Sequence, residues 1–494
     1  MPTDPTAPGG RHDLLGPGPT EPATSAASTV YDDPGVGADP ALDAFVEPYV
    51  APEPVPPSQL LHHHVTAVLV AHDGRRWLPR TLAALGGLER RPDRVLAVDT
   101  GSRDETARLL DDGLGHRAVV RVGARVGFGA AVAEGLRAAD ALGRPHDGRT
   151  EWIWVLHDDS APEPAALTRL LEWAVRRPDA GVLGPKVRGW GDERQLLEMG
   201  VSITGGGRRH TGLERREFDQ GQHDDIADVL AVGSAGMLVR RDVWEELGGF
   251  DPALPVFRDD VDLGWRANLA GYRVVLCPDA VVHHAEAAAH GRRRMAAVRR
   301  RAHLVDRRHA LYVLAVNTPA LLLPLVLLRH VLGGLGRAAG FFLGKQPALA
   351  GEEVAAVLSV VARPDRLVRA RRARRDLRRV PHRDLRALFP PRGQAVRHAG
   401  ESLLGVVTGT GSGHDLPSSR RRAATPGVDD DEDDEVLDTE TALLRALTRP
   451  GVLVATGLTV LTLLAVRSLV GSGRLTGGAL LPAQDGVSAL WAFY

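Results

Sequence analysis

At 494 residues the chain exceeds one ordinary domain, and a hydrophobic fraction of 44% is enough to bury a core, which excludes a wholly disordered protein. The formal net charge of -1 conceals segregation: arginines crowd residues 292–308 and 363–383 and acids crowd 429–435, so net charge alone assigns no partner. A single cysteine, Cys277, excludes intrachain disulfides, implies no oxidising compartment, and reads as a small buried hydrophobe in an apolar run. Lysine stands only at Lys186 and Lys345. The positive charge is therefore almost all guanidinium, which suits phosphate or anionic lipid but equally reflects codon usage.

Residues 1–62 are rich in Pro, Gly, Ala, Ser and Thr, lack periodicity and a signal-peptide pattern, and read as a disordered arm. His62, His63 and His64 close it and are taken as a solvated lead-in rather than a metal site. Order is expected from Val65, where an apolar run to Val70 feeds a helical pattern carrying Leu78, Leu82 and Leu85 on one face. A second strand over 94–98 leads to Asp99-Thr100-Gly101-Ser102, and Ser102 with Glu105 has capping-box spacing for the next helix. Residues 118–122 read as a third strand, glycines 123, 127 and 129 as a turn, and 152–156 as a fourth strand. This alternation predicts an α/β domain with a mostly parallel, doubly wound sheet.

In such sheets ligands sit beyond the carboxyl ends of the strands, where this chain carries His72-Asp73, Asp99, Arg125 and His157-Asp158-Asp159. Each has a plain alternative: Asp73-Gly74 makes a good turn, Asp99 can cap a loop, and the glycines can simply permit positive φ. A second acidic group, Asp259-Asp260 with Asp262, opens a helical pattern running to Arg266, and a strand then ends at His283-His284. Asp262 lies four residues before Arg266, an ordinary ion-pair spacing on a helix.

Four segments together resemble the family-2 glycosyltransferases, inverting enzymes with a nucleotide-sugar-binding GT-A fold. They are Val98 to Thr106, Leu156-His157-Asp158-Asp159, Gly233 through Phe250-Asp251, and Asp259 to Arg266. The resemblance runs from Val65 to His284. It implies that Asp159 and Asp158 hold a divalent metal, Mn or Mg, with His284 completing the site, and that Asp158 also reaches the ribose. His157 departs from the carboxylate found in many relatives, which implies either a weaker hold on the metal or a choice shifted toward manganese. The resemblance further implies that His72, Asp99, Arg125 and Gly127 border the nucleotide-sugar pocket. Asp260 is assigned as general base and Asp259 as its companion, raising the pKa of Asp260 by like charge or touching the acceptor.

The expected domain, 63–290, is followed by a basic flank and apolar membrane segment or segments over 291–345. Within it residues 310–328 are uncharged and marginally long enough to cross a bilayer, with Asn317, Pro319 and Pro324 favouring an interfacial or re-entrant helix as the alternative. Residues 346–450 read as Arg-rich helices and a flexible acidic linker, the arginines of 363–383 either lying on anionic headgroups or forming a solvated linker; nucleic acid is discounted for want of aromatic interleaving. Residues 451–471 read as a transmembrane helix, and 472–494 as a tail whose apolar end suggests a longer polytopic protein. The basic flank keeps the catalytic domain cytoplasmic at the cell membrane.

The resemblance thus implies transfer of a sugar, with rhamnose and galactofuranose as family habit, from a nucleoside diphosphate to a hydroxyl of a lipid-linked or glycan acceptor in envelope synthesis. A processive polysaccharide synthase is the neighbouring alternative, and the Gln-x-x-Arg-Trp motif of such enzymes is not found. An inactive scaffold that keeps the fold is the other.

Overall fold

The computed structural model describes residues 55–390 apart from 146, 215, 289, 291 and 293–301. Residues 1–54 of the expected arm, most of the basic flank, the acidic linker and the 451–471 segment lie outside the described residues. The last residues of the arm are ordered as a short helix, α1 (Pro57–Leu60), with Leu60 in the core.

β1 (His63–Ala71) is buried along its whole length, with Val65, Ala67 and Leu69 in one core cluster and Val68 and Val70 in the other. A strand covered on both faces buries every position, which is why the stretch from Ala67 to Ala71 is apolar throughout and does not alternate. His63 and His64 are its first two residues and are buried, so the expected solvated lead-in is corrected: the Trp152 indole donates to His63 Nδ1 at 3.0 Å. The expected rhythm continues through α2 (Leu78–Gly86), β2 (Arg94–Asp99), α3 (Thr106–Leu114), β3 (Val119–Arg121), α4 (Phe128–Ala141) and β4 (Thr150–His157). Gly135 of α4 lies over β1, where a Cβ would come to 2.7 Å of Val68, so helix and sheet meet more closely than any side chain allows.

The chain goes on through β5 (Ser160–Pro162), α5 (Ala166–Arg176), β6 (Ala180–Gly189), β7 (Leu196–Glu198), the small hairpin β8 (Ser202–Ile203) and β9 (Arg209–His210), β10 (Leu238–Arg240), α6 (Arg241–Leu247), α7 (Asp259–Leu269) and β11 (Arg273–His284). Among the described residues the main sheet has the order β3-β2-β1-β4-β10-β6-β11-β5, with β7 beside β6. It is mixed rather than mostly parallel. β1, β2, β3 and β4 pair in parallel, as do β6 and β11, whereas β10 runs antiparallel between β4 and β6, and β5 and β7 are antiparallel to their partners. The doubly wound pattern therefore holds for the first half, and the short β10 joins it to the second.

Beyond the sheet come α8 (Ala302–Asn317), α9 (Leu323–Leu343), α10 (Pro347–Val361) and α11 (Pro364–Ala373). The uncharged stretch 310–328 is divided between two of these helices. Val313 and Leu314 of α8 pack with Val261, Trp265 and Leu269 of α7, so the first part is a core helix, and a break at Pro319 precedes α9. The arginine-rich stretch is only in part a free basic surface. Arg374 is buried and donates to Asp262 at 2.9 Å and to Asp251, while Arg371 and Arg378 bond to main-chain carbonyls at the end of α8. Asp262 is fully buried and also receives Arg266 Nε at 2.7 Å and Asn317 Nδ2 at 2.9 Å. Burial alone would raise its pKa, but Arg374 and then Arg266 outweigh that and hold it below the usual carboxylate range. The expected helical ion pair of Asp262 and Arg266 is thus one edge of a buried network.

Arg374→Met leaves part of that buried charge uncompensated. It is expected to destabilise the protein by about 3 kcal/mol, the lower end for a broken buried pair because Arg266 remains. Urea denaturation of variant and wild type checks this, and equal midpoints would contradict the network's role.

Candidate active site

The carboxyl ends of β1, β2 and β4, the end of β11 and the entrance of α7 enclose a cavity of about 370 Å³. Its first wall is the loop after β1. The N–H of Asp73 donates to Ser102 Oγ at 2.9 Å, that of Gly74 to Thr106 Oγ1 at 2.7 Å and that of Arg75 to Asp104 Oδ2 at 3.1 Å. The polar residues after β2 therefore stitch two loops together. The expected capping box does not form: Ser102 is engaged with Asp73, and α3 begins at Thr106 after Glu105, which makes no side-chain cap bond.

His72 lines the cavity, its main-chain N–H donating to Asp158 Oδ2 at 2.9 Å and its Nδ1–H to the Thr100 carbonyl at 3.0 Å. Three expected pocket residues do not line it. Asp99 is buried beneath the loop and accepts the Ser102 N–H at 3.1 Å, leaving Thr100 at the surface of the cavity. Arg125 is exposed, with Ala124 and Val126 lining instead. Gly127 packs on Pro255, whose atoms a Cβ would meet at 2.6 Å, so its smallness serves loop packing.

On the second wall β4 delivers His157, Asp158 and Asp159 through a tight turn in which Ser160 Oγ accepts the His157 N–H at 3.0 Å and donates to its carbonyl at 2.8 Å. Ligand atoms of His157, Asp159 and His284 all lie within 4.8 Å of one another. Asp159 Oδ1 is 3.3 Å from His284 Nε2 and 3.9 Å from His157 Nδ1, and its Oδ2 accepts the Ala287 N–H at 2.9 Å. Asp158 is not in this group, which corrects the expected ligand set: its carboxylate turns to the first loop, where Gly74 leaves it room. His157 takes that place. β11 alternation separates the two histidines, His284 facing Asp159 and His283 bonding Glu163 at 3.1 Å. Burial opposes charge on His284, but Asp159 outweighs it and raises the imidazole above its ordinary pKa. Two imidazoles and a carboxylate fit a divalent transition ion such as manganese better than magnesium, which prefers all-oxygen sites.

The third wall is the first turn of α7. Phe257 and Arg258 precede it in consecutive left-handed conformations, φ 58 and 67, a costly arrangement for side chains of that size. α8 holds the turn in place. Asp306 accepts Arg258 Nε and Nη2 at 2.8 and 2.9 Å, and His309 Nδ1 donates to the Val256 carbonyl at 2.6 Å, burial pushing that imidazole down to about 4 and so keeping it neutral. Asp259 and Asp260 both line the cavity. Asp260 Oδ2 accepts Arg209 Nη2 at 3.0 Å, and the same nitrogen reaches Glu198 Oε2 at 2.8 Å. Asp259 Oδ2 is buried without a hydrogen-bond partner among the described residues, and burial, then the Asp260 charge, push its pKa up to about 8. The like-charge effect thus falls on Asp259, the reverse of the expected direction. Arg209, Glu198 and Asp306 had no motif to mark them: Arg209 meets Asp260 from 51 residues away with Glu198 on its other side, and Asp306 meets Arg258 from 48 residues away, only after folding.

Residues 62–303 match the model of a family described as glycosyltransferase like family 2. The chain is 31% identical over 242 residues to the N-acetylglucosaminyl-diphospho-decaprenol L-rhamnosyltransferase of Mycobacterium tuberculosis, a match covering 46% of this chain and 77% of that protein. It is 26% identical over 223 residues to the galactofuranosyltransferase GlfT1 of Mycolicibacterium smegmatis, covering 44% and 70%. With the O-antigen chain rhamnosyltransferase RfbN of Salmonella typhimurium it shares 24% identity over 225 residues, covering 45% and 66%.

Because Asp259 gains its proton on folding, its contribution to stability is fully present below the unfolded value of 3.8 and is lost as pH rises through about 8. Asp259→Asn, which stays neutral, should therefore gain on wild type between pH 5 and pH 9 in metal-free buffer. Thermal melts at pH 5, 7 and 9 measure it, and a difference that does not change with pH would remove the buried, protonated Asp259.

Proposed function

Since the chain belongs to the family-2-type glycosyltransferases, we propose that it transfers a sugar from a nucleoside diphosphate donor, with inversion, to a hydroxyl of a lipid-linked or polysaccharide acceptor of the cell envelope. The observation that carries this reading is one cavity lined on one side by His157, Asp159 and His284 and on another by Asp259 and Asp260. Relatives named for decaprenyl-diphosphate-linked and O-antigen acceptors and for rhamnosyl and galactofuranosyl transfer support the acceptor class and a donor of that kind.

The donor's diphosphate belongs beside the first two walls. His157, Asp159 and His284 would hold a divalent ion there, whose charge stabilises the departing diphosphate. Asp158 and His72 fix the loop that borders the nucleotide. The acceptor hydroxyl enters from the α7 side and attacks the anomeric carbon as the bond to the diphosphate oxygen breaks, so configuration inverts. Its proton passes to Asp260. Arg209, itself braced by Glu198, orients that carboxylate, and the protonated Asp259 beside it avoids a second buried negative charge.

Asp260→Asn should lower kcat for sugar transfer about 10² to 10⁴-fold while leaving nucleotide-sugar affinity by calorimetry within a few-fold. Equal nucleoside diphosphate release by variant and wild type would remove Asp260 as the base, and no release by the wild type from any donor in a screen would instead favour a scaffold without turnover. Chelation should abolish transfer, with manganese restoring it better than magnesium. His284→Ala should weaken manganese binding by at least about tenfold, the scale on which even outer partners of a metal ligand act; unaltered manganese affinity would remove His284 from the site.

A further inference from the structure

Among the described residues a single helical stretch, Ala320–Leu343, is long and apolar enough to cross a membrane, with mean hydropathy 1.4 over its best window. Its 24 residues would span about 36 Å, more than a hydrocarbon core of about 30 Å. Its polar groups are nevertheless in the middle and on one side. His330 is 4% exposed, Arg337 Nε donates to the buried Glu353 of α10 at 3.1 Å, and Arg307 of α8 donates to the same carboxylate oxygen at 3.3 Å. Arg307 also bonds the Gly206 carbonyl in the turn between β8 and β9, and Arg329 of α9 lies against Gly205 in that turn. The buried side of α9 therefore rests on α8 and α10, and through Arg329 it also touches the β8–β9 turn.

The opposite face carries leucines at three- and four-residue steps. Leu325, Leu328, Leu332 and Leu335 are 65%, 55%, 60% and 56% exposed, and α10 adds exposed Leu358 and Val361. The chain beyond α9 fixes the topology. Arg374, just past α11, pairs with Asp262 of the catalytic domain, so this later segment is on the same side as the cavity. α10 would have to return across the bilayer with 15 residues, about 22 Å, that include Glu352 and Glu353. Exposed Lys345, just past α9, and exposed Arg363, Arg366, Arg369, Arg372 and Arg375, in and around α11, supply positive charge complementary to anionic headgroups.

We propose that α9 does not cross the bilayer but lies flat in its surface, the leucine face sunk among the acyl chains of an anionic membrane and the Arg337 face turned to α8 and α10. The docked plane is then tied to the active site, because the hairpin whose turn rests on α8 and α9 carries Arg209, the partner of Asp260. The consequence for catalysis rests on the reading that the acceptor is membrane-borne: its headgroup is offered to the cavity at a fixed height.

The test uses the full chain in vesicles of phosphatidylcholine with phosphatidylglycerol, carrying Leu325→Cys, Leu332→Cys or Phe342→Cys labelled with a fluorophore, Cys277 being buried. Lipids with quenchers at stated depths should place all three probes at one shallow level, about 5 to 10 Å into the boundary. In pure phosphatidylcholine the quenching should fall several-fold. Depths that run from one surface through the midplane to the other would overturn the proposal in favour of a span. Absence of quenching, or cross-linking between copies in its place, would overturn it in favour of an aqueous or self-associated face. No turnover is needed, so this result is independent of whether sugar transfer is found. As a second variant, Leu328→Asp with Leu332→Asp should reduce transfer to a lipid-linked acceptor about tenfold and spare transfer to a short water-soluble one; equal loss on both would count against docking.

Discussion

The first turn of α7 buries Asp259, Asp260 and Asp262 within four residues, and much of the molecule is arranged around that concentration of negative charge. Each carboxylate is accommodated differently. Asp262 is neutralised by Arg266 and by Arg374 from beyond α9 and α10, Asp260 by Arg209 from the β9 strand, and Asp259 by keeping a proton. A helix amino terminus favours such groups but offsets only a fraction of the desolvation involved. Positive partners must therefore come from outside the helix, and each brings a segment of chain with it.

This explains why the helices after β11 are not an appendage. Arg374 fixes α11, Asn317 fixes the end of α8, and Asp306 and His309 of α8 hold the left-handed turn at Phe257 and Arg258 that aims the dyad into the cavity. Strain of that kind persists only where the surroundings over-determine it. The same helices carry the leucine face of α9. The geometry of the candidate site and the attitude of the apolar surface thus share one set of contacts.

Across the cavity the second charged group is built on the opposite logic. His157, Asp159 and His284 leave their ligand atoms facing one another, and Asp158, though adjacent in sequence, is drawn off to fasten the first loop through the His72 N–H. Adjacent residues at the end of a strand point to opposite sides, so two neighbouring carboxylates rarely serve one ion equally. The same alternation sorts His284 into the cavity and His283 onto Glu163.

By itself the sequence determined the elements whose signals are local. The buried run of β1, the alternation through β4 and the acidic entrance of α7 were all legible because period and turn chemistry lie within a few residues of one another, whereas only the family resemblance pointed to Asp159, Asp260 and His284 together, and all three line the one cavity. Only the tertiary structure decided what depends on distant partners. The antiparallel β10 inserted mid-sheet, His157 in place of Asp158 beside Asp159, the exclusion of Asp99, Arg125 and Gly127 from the cavity wall, and the burial of Arg374 on Asp262 all belong to that second group. An arginine in a basic run looks the same whether it faces water or a buried carboxylate 112 residues away, because the desolvation that selects its partner exists only once the chain has folded.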